Sequence, residues 1–381
     1  MNPPVEFDLH GLVGIRLLDA GPDETAAVSR QLGPIRSNLD REPDIVVRFV
    51  DRLPDTGDVR LLGVDDAGFT EDAFLVLRSR FKSRACVQIP FQDIGHRCEI
   101  LCERGLIQVP LLIPILNLTA LARGVLPLHA SAFNYRGTGI VATGWSKGGK
   151  TETLLAFMAQ GAEYVGDEWV YFRPDGTVVY GIPEPIRLWS WHLDQMPRYR
   201  GRVPGKQLVR LRALDMMLGL TNILPGNGNG GTGGKGVLTH RVRTLLRKQL
   251  HVDVTPERLF GTERCALKGA PDKIVWLASH DREETVLRPM DPEELARRMV
   301  FSLQEEQMGF LSYYWKFRFA FPEAANEFLD RSRQLQEELL RRTLKNKECH
   351  ELSHPYPGSI PSLFEALAPV CGTVQSPGSG D

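Results

Sequence analysis

The chain has 381 residues, 42% of them hydrophobic and 24% charged, which is enough apolar material for a substantial core and excludes a disordered or collagen-like protein. A formal net charge of -1 gives no global attraction to nucleic acid or to an anionic membrane, so neither is expected as a partner. Six cysteines without repeated spacing argue against a disulfide scaffold and fit free thiols, while the length predicts two domains rather than one.

The opening, "MNPPVEFDLHGLVG", lacks the charged and apolar regions of a secretory signal. The longest apolar run, Val109 to Ala122, is shorter than the roughly 20 residues of a membrane span and contains Pro114 and Asn117. A cytoplasmic location is therefore expected.

Residues 1–108 read as a β-rich N-terminal module. Runs such as "VGIRLLDA", "PDIVVRFVDRL", "AFLVLRSRF", "SRACVQIPF" and "CEILCERGLIQVP" are separated by Asp55, Gly57, Asp65 and Gly68. The pattern then changes. A short apolar helix ends at Gly124, and the segment 109–330 follows as an α/β domain: "PLHASAFNY", "GIVATG", the helix "KTETLLAFMAQ", the strand "AEYVGDEWVYF" and a hairpin.

Two basic helical stretches, "QLVRLRALDMMLGL" and "HRVRTLLRKQL", flank Pro225 to Gly236, whose seven glycines and two asparagines predict a flexible loop. The basic residues Lys206, Arg210, Arg212, Arg241, Arg243, Arg247 and Lys248 read as a solvated helix face or as groups that meet an anion on loop closure. "DKIVWLASHD" reads as a buried strand, and Pro292 onward as helix. The aromatic run Phe310 to Phe321 reads as core rather than as a nucleic-acid platform. Residues 331–381 are expected to form a helical C-terminal segment with a loosely held tail.

Gly144, Trp145, Ser146, Lys147, Gly148, Gly149, Lys150 and Thr151 satisfy the P-loop pattern G-x-x-x-x-G-K-[ST]. The glycines let backbone N–H groups converge on phosphate oxygens, Lys150 brings a point charge, and Thr151 a hydroxyl for Mg²⁺. Four fixed positions recur by accident in roughly a few per cent of chains this rich in glycine. The strand before and the helix after supply the context that chance does not, with the helix N-terminus aimed at the same anion.

Such a loop needs a carboxylate on a neighbouring strand to help hold the metal, and phosphoryl transfer needs a group to accept the proton of the attacking hydroxyl. Asp167 and Glu168 end the next apolar strand. Adjacent strand residues point to opposite faces, so a shared role requires a bend or bulge at Gly166. His129, on the strand before the loop, reads by itself as a satisfied core histidine. His96, Cys98 and Cys102 have no second ligand pair at finger-like distance, and Cys349, His350 and His354 make no better metal set.

The succession of His129, Lys150-Thr151-Glu152, Gln160-Gly161 and Asp167-Glu168 resembles the catalytic core of the HPr kinase/phosphorylase family, which is related to phosphoenolpyruvate carboxykinase. The resemblance is strong over about 45 residues and weak over 115 to 290. It implies an HPr kinase/PEP carboxykinase-like P-loop fold and ATP and Mg²⁺ as cofactors, with Gly144 to Thr151 on the phosphates and Thr151 and Asp167 on the metal. It also implies Glu168 as proton acceptor, with His129 and Lys150 beside it in the catalytic site.

Trp145 and Lys147 depart from the family's small and apolar loop residues, Glu168 is one methylene longer than its counterpart, and the phosphocarrier-recognition signature is absent. Glu184 and Asp194 are candidates for a further metal ligand. The expected function is γ-phosphoryl transfer to a hydroxyl, on a serine of a peptide or protein or on a small molecule. A non-catalytic nucleotide sensor and a carboxykinase-like enzyme are the alternatives. A homo-oligomer is compatible with the sequence, which does not read oligomeric state.

Overall fold

The computed structural model describes residues 3–54, 57–62, 67–77, 85–223 and 243–371. The glycine-rich stretch Pro225 to Gly236 and Arg241 lie outside the described residues. The fold is mixed α/β, built on two large sheets.

The first sheet holds β1 (Val5–Leu9), β2 (Val13–Leu18), β3 (Ile45–Val50), β4 (Arg60–Leu61), β5 (Ala67–Phe69), β6 (Ala73–Leu77), β7 (Ala85–Pro90) and β8 (Cys98–Glu103). Their order is β1-β2-β3-β8-β7-β6-β5-β4. Inward residues alternate along β1 and β8, as a sheet with one covered face requires. The module is not all strand. The parallel pair β2–β3 needs a crossover rather than a hairpin, and α1 (Pro22–Leu32) supplies it, opened by Pro22 and by Glu24, whose Oε2 accepts from the Gly21 N–H at 2.9 Å.

Helix α2 (Leu112–Ala122) follows, and Gly124 takes φ 74 just beyond its end, as expected for a stop. The second sheet begins with β9 (Leu126–Tyr135), β10 (Thr138–Gly144), α3 (Lys150–Ala159), β11 (Glu163–Gly166), β12 (Trp169–Phe172) and β13 (Val179–Gly181). A separate two-stranded ribbon, β14 (Ile186–Trp189) with β15 (His251–Val254), brackets α4 (Ser190–Gln195), α5 (Gly205–Ile223) and α6 (residues 243–249). After α7 (Pro256–Phe260) come β16 (Lys268–Gly269), β17 (Lys273–His280), β18 (Val286–Pro289), α8 (Pro292–Ala320), α9 (Glu327–Leu344), β19 (Glu348–Pro355) and α10 (Ile360–Leu367).

The second sheet runs β16-β13-β12-β9-β10-β17-β19-β18, with β11 paired to β9. β10, β17 and β19 are parallel. β10 is buried at every position, which explains its uninterrupted "TGIVATG" of small and apolar residues. On one face α3 and α10 pack through Leu154, Leu155, Phe157, Ile360 and Leu363. On the other lie Leu121 of α2, Met299 and Leu303 of α8, and Leu339 and Leu340 of α9.

The boundary expected at 330 falls inside α9, and β19 lies between β17 and β18 in the second sheet, so the residues beyond 330 complete this α/β body. The tail expected to be loose is packed through α10, where Ile360, Leu363 and Leu367 are buried; residues 372–381 lie outside the description.

The two sheets share α8. Its first half covers the second sheet, while Phe310, Tyr314 and Phe317 enter the core of the first, where Phe317 stacks on Phe91 at 4.2 Å between ring centres. Trp315 and Phe319 of the same aromatic run are exposed, so the expected core role holds for one side of the helix. Asn326 joins the parts as well: its Nδ2 donates to the carbonyls of Phe91 (2.8 Å) and Ile94 (3.0 Å), while its Oδ1 caps α9 by accepting from the Leu329 N–H. Among the described residues no helix is long and apolar enough to cross a membrane.

Candidate active site

The loop from Gly144 to Gly149 joins the end of β10 to the start of α3. At Gly149, φ is +100 and an added Cβ would lie 2.8 Å from His354 Nε2, so only glycine fits without strain. Lys147 also takes a positive φ, 63. The turn is closed by the Gly148 N–H donating to Trp145 O at 3.1 Å, and the Lys150 ammonium folds back onto Trp145 O at 2.9 Å.

Lys150 is buried, and burial lowers its pKa. Ser302 of α8 and His354 at the end of β19 brace the loop through Gly144 O (3.2 Å) and Gly148 O (3.0 Å). Trp145, Ser146 and Lys147 turn their side chains to solvent.

The register of β11 against β9 shifts between Tyr164 and Gly166, and the strand breaks before Trp169. Glu168 takes φ 66 there. The irregularity that a shared role demanded is present, and both acids engage residues around the loop. Asp167, buried, accepts from Thr151 Oγ1 at 3.0 Å on one oxygen and from Ser131 Oγ on the other. Burial first, and then the charge of Glu168, push the Asp167 carboxyl up to about 7.

Glu168 is half-exposed, and its Oε2 lies 2.9 Å from His129 Nε2. That hydrogen bond holds its pKa below the ordinary carboxylate value against the opposing effect of burial. His129 is buried beneath Trp169 and meets a second carboxylate, Glu306 of α8, 2.5 Å from Nδ1. Burial disfavours its imidazolium, yet the hydrogen bond to Glu168 and the adjoining Glu306 carboxylate outweigh it and raise the pKa. His129 is thus a polar group clasped between acids, rather than a core histidine.

The expected residues converge: His129, Lys150, Thr151, Asp167 and Glu168 lie together at the mouth of the loop. Thr151 and Asp167 offer adjacent oxygen donors, which suits a hard cation such as Mg²⁺. Glu184 joins this environment. Its Oε1 is buried without a hydrogen-bond partner, and burial followed by the charges of Glu168 and Asp167 raises its pKa well above normal. Asp194 instead pairs with Arg200 at the surface. No group of three or more His, Cys, Asp or Glu side chains that could hold a metal by themselves occurs among the described residues.

Elsewhere, Cys98 and Cys102 are buried in the first core, burial pushes their thiols up to about 12, and His96 is exposed. All six cysteines are free. Lys206, Arg210, Arg212, Arg247 and Lys248 are exposed and Arg243 is partly buried, which is compatible both with a solvated face and with groups that meet an anion.

The sequence reading named neither Ser131 nor Glu306, and weighed His354 only as a metal ligand. Ser131 was within reach, because it lies two residues from His129 on β9 and so on the same face. Glu306 had no local signal, since α8 arrives from far along the chain. His354 sits on a strand whose position beside β17 the sequence pattern does not reveal. The sequence matches no family model and no curated protein.

Proposed function

We propose that the protein is an ATP- and Mg²⁺-dependent kinase of the HPr kinase-like kind, transferring the γ-phosphoryl group to a hydroxyl on a serine or on a small molecule. The observation that carries this reading is the meeting of Thr151 with Asp167 at 3.0 Å and of His129 with Glu168 at 2.9 Å, both beside the Gly144–Lys150 loop. The loop N–H groups, the start of α3 and the Lys150 ammonium bind the phosphates. Thr151 and Asp167 would hold the metal, which neutralises charge on the β- and γ-phosphates when bound.

Glu168 is ionised and open to solvent on one side, so it can accept the proton of the attacking hydroxyl. The acceptor oxygen bonds to the γ-phosphorus, the bond from that phosphorus to the β-γ bridging oxygen breaks, and ADP leaves with the electron pair. His129 keeps Glu168 oriented, and Glu306 keeps His129.

The test is incubation with ATP labelled at the γ-phosphate and a peptide library or lysate, followed by mass spectrometry of the product. Glu168→Gln is expected to lower transfer by about 10²- to 10⁴-fold while nucleotide still binds. Unchanged transfer in that variant would remove Glu168 as the base, and nucleotide binding with no product from any acceptor would favour a sensor.

A further inference from the structure

Beside the glycine loop lies a cavity of about 290 Å³ that neither Asp167 nor Glu168 lines. Lys147 and Gly149 of the loop form one edge, Glu152 of α3 another, and Ile360 of α10 the buried floor. Two aromatic side chains complete it: Trp191, 37% exposed, and Tyr356, 68% exposed. Its size is close to the lower limit of small-molecule pockets, roughly 300 Å³.

We propose that this cavity receives the planar base of a nucleotide, with Trp191 and Tyr356 as its stacking surfaces. The inference rests on the reading that the loop holds phosphate, and it adds where the rest of the molecule sits.

Four features point this way. Large aromatic faces left open to water at the rim of a hollow suit a flat π-system, and stacking on them is tolerant of base identity. None of His129, Asp167 and Glu168 lines the cavity, so an acceptor hydroxyl placed there would not be in contact with the proposed base. The glycine loop borders both places, so a ligand whose phosphates follow the loop reaches the carboxylates at one end and this hollow at the other.

The walls are also built rather than incidental. His192 fixes Glu152, which lines the cavity, at 3.0 Å. Gln195 of α4 ties down the segment after Tyr356 through Gly358 O (3.1 Å) and the Ile360 N–H (2.8 Å).

Calorimetric titration of the full chain with ATP, GTP and inorganic tripolyphosphate, each with Mg²⁺, tests it in wild type, Tyr356→Ala and Trp191→Ala. Both side chains are partly solvent-exposed, and a melting curve verifies that each variant is folded. Wild type is expected to bind ATP or GTP at least about tenfold more tightly than tripolyphosphate. Tyr356→Ala and Trp191→Ala are expected to lose most of that margin with tripolyphosphate affinity unchanged.

Tripolyphosphate binding as tight as both nucleotides, or a margin that survives both substitutions, would overturn the pocket while leaving the phosphate loop standing. Absence of binding by all three ligands in wild type would overturn the loop reading and the pocket together.

Discussion

Thr151 donates its hydroxyl hydrogen to Asp167 across 3.0 Å, tying the first turn of α3 to the break between β11 and β12. The contact places a hydroxyl and a carboxylate where a cation would need them, and it commits a buried acid to a site where, among the described residues, no opposite charge is in direct contact.

That commitment has a pH signature. Asp167 has its folded-state pKa raised from 3.8 to about 7 by burial and by Glu168. Its contribution to stability is therefore fully present below pH 3.8 and lost as pH rises through about 7. In protein free of metal and nucleotide, Asp167→Asn is expected to be more stable than wild type at pH 8, by on the order of 2 kcal/mol, with the gain shrinking toward pH 4. Thermal melts across that range check it, and equal melting points at pH 8 would show that the buried charge is compensated.

A second expectation concerns His129, whose two nitrogens face Glu168 and Glu306. Glu306→Gln removes one of the two charges that stabilise the imidazolium, so the His129 pKa falls. Titration of the ring by NMR reads this directly. An unmoved titration would mean that Glu306 does not act on the histidine.

Gly149→Ala forces a Cβ to within 2.8 Å of His354 Nε2 at a backbone angle that side chains rarely adopt. A cost on the order of 1–3 kcal/mol is expected in loop conformation. It would appear as roughly ten- to hundredfold weaker binding of tripolyphosphate with little change in the melting of the sheets. The same substitution at Gly201, where an added Cβ meets nothing within 4 Å, serves as the control.

Asn326→Ala removes a helix cap and leaves the carbonyls of Phe91 and Ile94 without their side-chain donor in a buried joint. The loss is expected to be about 2–4 kcal/mol, measured by urea denaturation. Asn326→Asp keeps the capping oxygen but sets a carboxylate oxygen against those two buried carbonyls, so it should be no more stable than Asn326→Ala.

The strand, loop and helix from β10 to α3 were legible in the sequence because each is signalled locally, by an apolar run, by glycines and by a following amphipathic turn. So was the need for an irregularity at Gly166, since strand alternation alone would have parted Asp167 from Glu168. Helix α1 is masked in the sequence by the strands on both sides of it, although Pro22, Asp23 and Glu24 open it in the usual way. Glu306 and the place of β19 could not be read: each depends on which distant segments share a face, and a single sequence carries no record of that pairing.

Helix α8 carries Glu306 against His129 and, eleven residues on, Phe317 against Phe91 in the first sheet. At a rise of 1.5 Å per residue the two points are about 16 Å apart along one rigid axis. The eight-stranded sheet thereby backs the same helix that carries Glu306 to the histidine. A fragment starting at residue 109 would keep every residue of the loop and lose the backing that keeps Glu306 in place.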